Sequence, residues 1–304
     1  MSRRLIQRTF VDKLGRKRRP RKRFLGQPIY DYGTQCKYIG EMIEADGPMS
    51  ILRPGNCEFV SVWEYDENQF YGGGRYRKLG IFKNLDGDEE AFEKWVSQFK
   101  QDMSEADGVV LFNPTDYMEE YLARAYYRPQ HFFLMPLLEF NPFVAKTEHS
   151  WVEKLIGKTV LIVSLFADTM EKQVPYMDKI WPGINPVPNV NFIFQKALWH
   201  VEGSDNKFNT WFEALDYLDN QVQQKEFDIA IISCGPFSTF LAANIKRRGG
   251  KAIQYGGALQ LLFGIRGNRW ENMPISQYFN EYWVRPSEEE TPKGAERVEG
   301  ACYW

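Results

Sequence analysis

Short apolar runs alternate with segments of helical periodicity throughout the second half of the chain. In order, the pattern predicts a strand over residues 158–166, a helical or irregular stretch over 168–181, a strand over 191–197, a helix over 210–224, a strand over 227–235, a helix over 236–248 and a strand over 251–255. Strands that alternate with helices in this way pair in parallel through helical crossovers. The pattern therefore predicts an α/β fold built on a mostly parallel sheet.

Two of the predicted helices carry boundary signals of their own. Thr210 and Glu213 have the spacing of a capping box. The later helix begins at Pro236, which suits a first helical turn, and ends in the basic run 246–248 before a Gly-Gly pair. These signals favour helix independently of the apolar spacing.

The first half of the chain carries the same plan less clearly. Residues 49–63 indicate a short strand, a tight turn and a helix, and residues 106–125 repeat that order with Asn113 as the candidate N-cap. The apolar run 132–138 is interrupted by Pro136 and is not assigned to an element. Both strand-turn-helix units are expected to join the same sheet.

Composition places the chain among globular proteins. The 304 residues are 43% hydrophobic, which is ample for a core, and the apolar runs are much shorter than the roughly 20 residues of a membrane helix. The N-terminus lacks the apolar core and cleavage site of a secretory signal. The four cysteines are too widely spread for a zinc knuckle or a redox pair. We expect a cytoplasmic protein with reduced thiols and no membrane span.

Charge is segregated along the chain and not balanced. Residues 1–23 hold eleven Lys or Arg and the single acid Asp12, so a net charge of −2 leaves about −12 on the rest. We predict a disordered basic arm over 1–27, one body over 28–285, and a tail over 286–304 that packs back on the body. The arm is either a solubilising leader or a binding segment for nucleic acid or another anionic partner.

Function in such a fold is expected outside the carboxyl ends of the strands, where turns present backbone amides and helix N-termini to anions. After the strand that ends near residue 233, Gly235 is followed by Ser238 and Thr239 in the first helical turn. These groups can cradle a phosphate. A purely structural turn in which the hydroxyls cap the helix explains them as well.

The next strand ends in a second candidate turn. Gly256 and Gly257 open an apolar segment, either for close approach of a ligand or for tight packing, and Gln260 is a candidate contact to a base or sugar or a core hydrogen-bonding group. Arg266 and Arg269 follow beside an aromatic ring. They are candidates to clamp a diphosphate, with surface salt bridges as the alternative.

A third turn, in the first half of the chain, gathers a cation, a glycine bend and a carboxylate between Arg53 and Glu58. A carboxylate in the first turn of a helix is favoured in its ionised form, which suits a general base or a metal ligand as well as a simple cap. Asp168, at the end of another strand, is a helix cap or a further site carboxylate.

Several segments together resemble the GT-D-type glycosyltransferases, a family once grouped as a domain of unknown function. The resemblance lies in residues 228–235, 241–246, 250–253 and 256–270, in the Arg53-x-Gly-x-x-Glu58 turn and in the Cys-Tyr-Trp ending. It covers roughly residues 48–304. It implies a Rossmann-like fold with helices on both faces, a nucleotide-sugar donor such as a UDP-sugar, transfer to a glycan or protein acceptor, and a divalent cation, Mn or Mg.

The family's acidic turn has the form Arg-Phe-Gly-Asp-Gly-Glu, so Arg53, Gly55 and Glu58 match it, and Asn56 replaces its first acid. The resemblance implies catalytic roles for Glu58 and Arg53 and a metal site at Asn56 and Glu58, which the neutral amide weakens. The alternative hypothesis is a non-catalytic module that binds nucleotide or nucleic acid with help from the basic arm.

Overall fold

The computed structural model describes residues 23–71, 89–112, 116–134, 151–183, 189–199, 208–297 and 300–304. The described strands are β1 (Arg23–Phe24), β2 (Gln27–Pro28), β3 (Met49–Leu52), β4 (Gly108–Leu111), β5 (His131–Leu134), β6 (Thr159–Ser164), β7 (Asn191–Lys196), β8 (Ile229–Ser233) and β9 (Lys251–Gln254). The described α-helices are α1 (Tyr32–Glu44), α2 (Asn56–Tyr71), α3 (Glu89–Glu105), α4 (Tyr117–Ala125), α5 (Ala167–Gln173), α6 (Met177–Ile180), α7 (Trp211–Gln223), α8 (Phe237–Arg247) and α9 (Leu259–Leu262).

Seven strands form one parallel sheet in the order β5-β4-β3-β9-β8-β6-β7. The chain runs outward from β3 to β5, restarts on the other side with β6, and returns to the centre so that β9 lies beside β3. The turns after β3, β9 and β8 therefore lie side by side at the carboxyl edge. The prediction of a mostly parallel α/β sheet is confirmed.

Both faces of this sheet are covered by helices. One face packs against α2, α3, α4, α7 and α8 through alternate strand residues, such as Leu52, Val109, Val163 and Ile232. The other face packs against α1, α5, α6 and α9 through the intervening residues, such as Ile51, Val110, Ile162 and Ile253. A strand that is buried on both sides reads as a continuous apolar run, which is the pattern found in the sequence. The expected Rossmann-like layering is present.

The elements predicted in the second half are confirmed with slightly shorter bounds. Thr210 caps α7, its Oγ1 accepting from the backbone N of Glu213 at 3.0 Å. The predicted cap of α4 is wrong, because that helix begins at Tyr117 and its N-cap is Asp116, which accepts from the backbone N of Met118 at 2.9 Å. Asn113 itself, residues 135–138 and the basic arm through residue 22 lie outside the described residues.

The body begins before the predicted boundary at residue 27. β1 and β2 form a two-stranded hairpin, and Phe24 within it is 1% exposed and packs edge-on against Phe132 with ring centroids 5.0 Å apart. The boundary therefore falls inside a hairpin whose first strand belongs to the core. The four cysteines are free thiols. None of the described helices combines the length and apolar character that crossing a membrane requires.

Candidate functional site

A buried glutamine joins the three neighbouring turns at the carboxyl edge of the sheet. Gln254, the last residue of β9, accepts through Oε1 from the backbone N of Arg53 at 2.9 Å and from the Thr239 hydroxyl at 3.0 Å. One side chain thus fixes the turn after β3 and the first turn of α8 to the end of β9. Gln254 is not among the site residues predicted from the sequence, although a polar residue at the end of an apolar strand is a usable signal.

The paired glycines allow two side chains to lie directly on the turn after β9. Gly256 has φ +79°, and a Cβ there would collide with the Arg53 guanidinium. A Cβ on Gly257 would collide with the ring of Tyr303. Close packing is therefore one function of both glycines, and its result is to bring Arg53 and Tyr303 together across 250 residues of sequence.

Tyr303 is held in this position by Arg269. Arg269 Nη1 donates to Tyr303 Oη at 2.7 Å, and the guanidinium carbon lies 4.6 Å from the ring centroid. Burial raises the pKa of Tyr303, opposed in part by the positive charges of Arg269 and Arg53, so the phenol is neutral at physiological pH. Arg269 thus links the segment after α9 to the C-terminal segment through Tyr303.

Gln260 is 1% exposed and uses its two ends differently. Its amide nitrogen donates to the carbonyl oxygens of Ile265 and Tyr303, both at 3.2 Å, as expected for a core glutamine. Its buried Oε1 has no hydrogen-bond partner among the residues that the structure describes, and the same is true of the buried Nε of Arg266. One buried acceptor and one buried donor among the described residues are therefore left without a hydrogen-bond partner, which is uncommon in folded proteins.

The turn after β8 presents fewer phosphate-binding groups to solvent than predicted from the sequence. Gly235 is exposed with φ +59°, at the surface of the edge. Ser238 and Thr239 are 2% and 1% exposed, and their hydroxyls bond inward, Ser238 accepting from the backbone N of Cys234 at 2.9 Å and Thr239 donating to Gln254. Of the predicted phosphate-binding groups at this turn, only Gly235 faces solvent, because the hydroxyls complete the structural turn.

Glu58 lies in the first turn of α2 and is 7% exposed. Burial raises its pKa, while hydrogen bonds from its own backbone N–H and that of Gly55 and the charge of Arg53 lower it in part. A Cβ on Gly55 would collide with the Glu58 carboxylate, so this glycine is required for the carboxylate to fold back onto the turn. Glu58 is at once a cap of α2 and the carboxylate nearest to Arg53 in the acidic turn.

The two residues of the predicted metal pair differ in exposure. Asn56 is exposed, whereas Glu58 is buried and accepts from backbone donors. Within the described part of the chain, no three His, Cys, Asp or Glu side chains form a group that could hold a metal ion. Mg²⁺ and Mn²⁺ require several oxygen ligands. Asn56 and Glu58 alone supply too few oxygen ligands, so a cation bound here would take further ligands from the diphosphate or from water.

The tail supplies the cap that the sequence assigned to Asp168. The Asp168 carboxylate pairs with Lys196, and the N-terminus of α5 is closed by Glu290, which accepts from the backbone N of Asp168 at 2.9 Å and from the hydroxyl of Thr169. Trp304 Nε1 in turn donates to the Glu290 carbonyl at 2.7 Å. The C-terminal segment is therefore bonded to the same edge as the candidate site.

Comparison with known proteins gives structural neighbours alone. No protein-family model and no curated protein matches the chain. One solved structure, described as a new glycosyltransferase (DUF1792) from Streptococcus sanguinis, aligns with TM-score 0.45 and 12% identity over 86% of this chain and 95% of that one. Another, a selenomethionine-substituted domain of unknown function 1792, gives TM-score 0.34 and 14% identity over 75% and 83%.

A third neighbour, described as domain of unknown function 1792 with a distinct glycosyltransferase fold, gives TM-score 0.33 and 13% identity over 74% of this chain and 82% of that one. With so little identity, the chemistry of the site has to come from the residues of this chain.

Proposed function

We propose that this chain is a glycosyltransferase that binds a nucleotide-sugar and transfers the sugar to a glycan or protein acceptor. A UDP-sugar is the leading candidate for the donor. The observation that carries the proposal is the convergence of Arg53, Arg269 and Tyr303 on the Gly256–Gly257 turn at the carboxyl edge. The resemblance of the sequence to GT-D-type enzymes supports the same reading.

The charge of the site suits a diphosphate. Arg53 and Arg269 place two guanidinium groups around one turn, and guanidinium groups bind phosphate oxygens through paired, charge-assisted hydrogen bonds. The Nε of Arg266 and the Oε1 of Gln260 add a donor for phosphate and an acceptor for an N–H of the base. Cations that are already in place stabilise the negative charge that develops on the departing diphosphate.

Glu58 is the candidate base. In the reaction, an acceptor hydroxyl attacks the anomeric carbon, the bond from that carbon to the diphosphate oxygen breaks, and the electron pair leaves with the diphosphate. The hydroxyl proton passes to a base. A carboxylate whose pKa is raised by burial is a better proton acceptor near neutral pH than an ordinary one, which is the property Glu58 has.

A second candidate function is a non-catalytic module that binds nucleotide or nucleic acid. The charge segregation favours it, since eleven Lys or Arg lie within residues 1–23. Binding of this kind weakens steeply with salt, because each neutralised phosphate releases counterions. Salt-dependent polynucleotide binding that is lost on deleting residues 1–22, with no response to nucleotide-sugars, would favour the module over the enzyme.

A thermal-shift screen tests the main proposal. The intact chain is heated with UDP-, GDP- and ADP-sugars, each with and without Mn²⁺. A ligand at about one hundred times its Kd stabilises the folded state by about 2.7 kcal/mol, which is a readily measured rise in Tm. Arg53→Ala should abolish the shift, while Arg124→Ala, which removes an exposed Arg124–Glu120 pair on α4, should keep it. No stabilisation by any nucleotide-sugar contradicts the proposal.

The Mn²⁺ arm addresses the cation separately. If the site binds a metal that enters with the diphosphate, the rise in Tm caused by the nucleotide-sugar should be larger when Mn²⁺ is present. Mn²⁺ without the nucleotide-sugar should then leave the Tm unchanged. An equal rise in Tm with and without Mn²⁺ would mean that the arginines alone neutralise the charge of the diphosphate.

A further inference from the structure

The last five residues of the chain, Gly300–Trp304, are fastened to the carboxyl edge by main-chain bonds. The backbone N of Asn268 donates to the Trp304 carbonyl at 3.0 Å and that of Arg269 donates to the Cys302 carbonyl at 2.8 Å. The Trp304 ring lies edge-on between Phe166 and Trp199, with centroids 5.6 and 5.3 Å away. Tyr303 therefore belongs to a segment whose position is fixed by hydrogen bonds and ring packing.

Two glycines that are distant in sequence from this segment make room for Tyr303. A Cβ on Gly257 would collide with the Tyr303 ring, and a Cβ on Gly267 would lie 2.5 Å from the Tyr303 carbonyl oxygen and 2.9 Å from its Cα. The side of Gly257 that a side chain would occupy is thus filled by an aromatic ring. A ligand that approaches this side of the turn meets Tyr303, not the glycine backbone.

The phenol oxygen of Tyr303 can accept and donate at the same time. It accepts from Arg269 Nη1 at 2.7 Å, and an oxygen that accepts one hydrogen bond keeps its own hydrogen to donate. Acceptance from a cation strengthens that donation through the chain of bonds. Arg53 lies on the neighbouring Gly256, so both cations of the site flank the phenol.

We propose that Gly300–Trp304 forms a wall of the nucleotide-sugar site, with the Tyr303 hydroxyl donating a hydrogen bond to the diphosphate. The inference rests on the proposed function and adds a ligand-contacting residue to it. It also gives the C-terminal segment a reason to be bonded to the turns that carry the arginines, since its position then sets the position of a binding group.

Tyr303→Phe tests this assignment, because it removes the hydroxyl and keeps the ring that packs on Gly257. Binding of UDP and of uridine is measured by calorimetry on the full chain, together with Tm in the absence of ligand. Tyr176→Phe is the matched control, since Tyr176 is 43% exposed beside α6. Tyr303→Phe should weaken UDP binding about tenfold or more, as loss of a hydrogen bond to a charged group does, and leave uridine binding unchanged. The Tm of the free protein should fall only slightly, because the bond from Arg269 is lost while the packed ring is kept.

The outcomes separate this inference from the proposed function. Wild-type protein that binds no UDP removes the proposed function and with it the role of Tyr303. If the wild type binds UDP and Tyr303→Phe binds it equally well, the site stands and the hydroxyl has no part in it. A variant that loses UDP and uridine binding to the same extent also overturns the inference, because the hydroxyl then does not act on the phosphates.

Discussion

Glu58 has two roles, as the acceptor of a structural hydrogen bond from the Gly55 backbone N–H and as the proposed base. One substitution separates these roles. Glu58→Gln keeps an oxygen that accepts from the Gly55 backbone N–H and removes the buried charge, whose cost is the reason its pKa is raised. We expect an unchanged or higher Tm and a loss of sugar transfer or donor hydrolysis of about 10²–10⁴-fold, as for removal of a general base. UDP release and thermal unfolding measure the two effects. Glu41→Gln, at an exposed position on α1, is the control, and unchanged turnover removes Glu58 from the mechanism.

The cysteine thiols give a pH prediction. Burial raises the pKa of Cys234 to about 12 and that of Cys57 to about 11. Cys57 is only partly buried, so its modification rate should follow its thiolate fraction and rise about tenfold per pH unit through pH 9 and 10 without a plateau. Site-resolved mass spectrometry after maleimide labelling measures this rate. A plateau near pH 9, the behaviour of an ordinary thiol, would be the contrary result.

The residues of the candidate site differ in how far sequence alone reveals them. Arg53, Gly256 and Gly257 can be identified from the sequence, because a cation or a glycine directly after a strand has few structural roles. The fold brings Arg53 into contact with Gly256. Gln254 is marked only by its polarity at the end of an apolar strand, and Tyr303 only by its place in the Cys-Tyr-Trp ending. Their role depends on contacts with residues far away in the chain, which local spacing does not encode.

At the scale of elements, α7 carries a cap whose contribution can be measured. Thr210 Oγ1 accepts from the Glu213 backbone N at 3.0 Å, and the Glu213 carboxylate accepts from the backbone N of Asn209 at 2.9 Å. Thr210→Ala should lower the free energy of unfolding by about 1 kcal/mol, within the usual 0.5–2 kcal/mol for a lost N-cap. Urea unfolding measures the change. Thr210→Ser keeps the hydroxyl and should lose much less; equal losses would assign the effect to the threonine methyl group.

Elements with a strand-helix alternation and clear boundary residues were predicted well. Among the described helices, the long helices α1 and α3 and the single turn α9 were missed. α3 buries Phe92, Trp95, Val96, Phe99 and Met103, a helical spacing that is present in the sequence. α1 buries mixed residues, including Gln35 and Gly40, so its apolar stripe is weak and its helix depends on the sheet beneath it. Tertiary packing decided such segments more than local propensity.

At the scale of the whole molecule, the basic arm and the folded body carry opposite charge. Residues 1–22 hold ten Lys or Arg and one acid, so their removal changes the net charge from −2 to −11. A body with that net charge repels polyanions. Polynucleotide binding by the intact chain, if it occurs, should therefore depend on the arm and fall steeply with salt, whereas nucleotide-sugar binding at the carboxyl edge should not depend on the arm.

The point at which the folded body begins can be located by comparing two variants. Deletion of residues 1–22 removes the arm and leaves the hairpin β1–β2, so we expect a free energy of unfolding close to that of the intact chain. Phe24→Ala keeps every charge but removes a ring that is 1% exposed and packed on Phe132, which costs about 3–5 kcal/mol. Both values come from chemical denaturation, with UDP binding measured on the same samples. A deletion as damaging as Phe24→Ala would mean that the body includes the arm, whereas a harmless Phe24→Ala would detach the hairpin from the core.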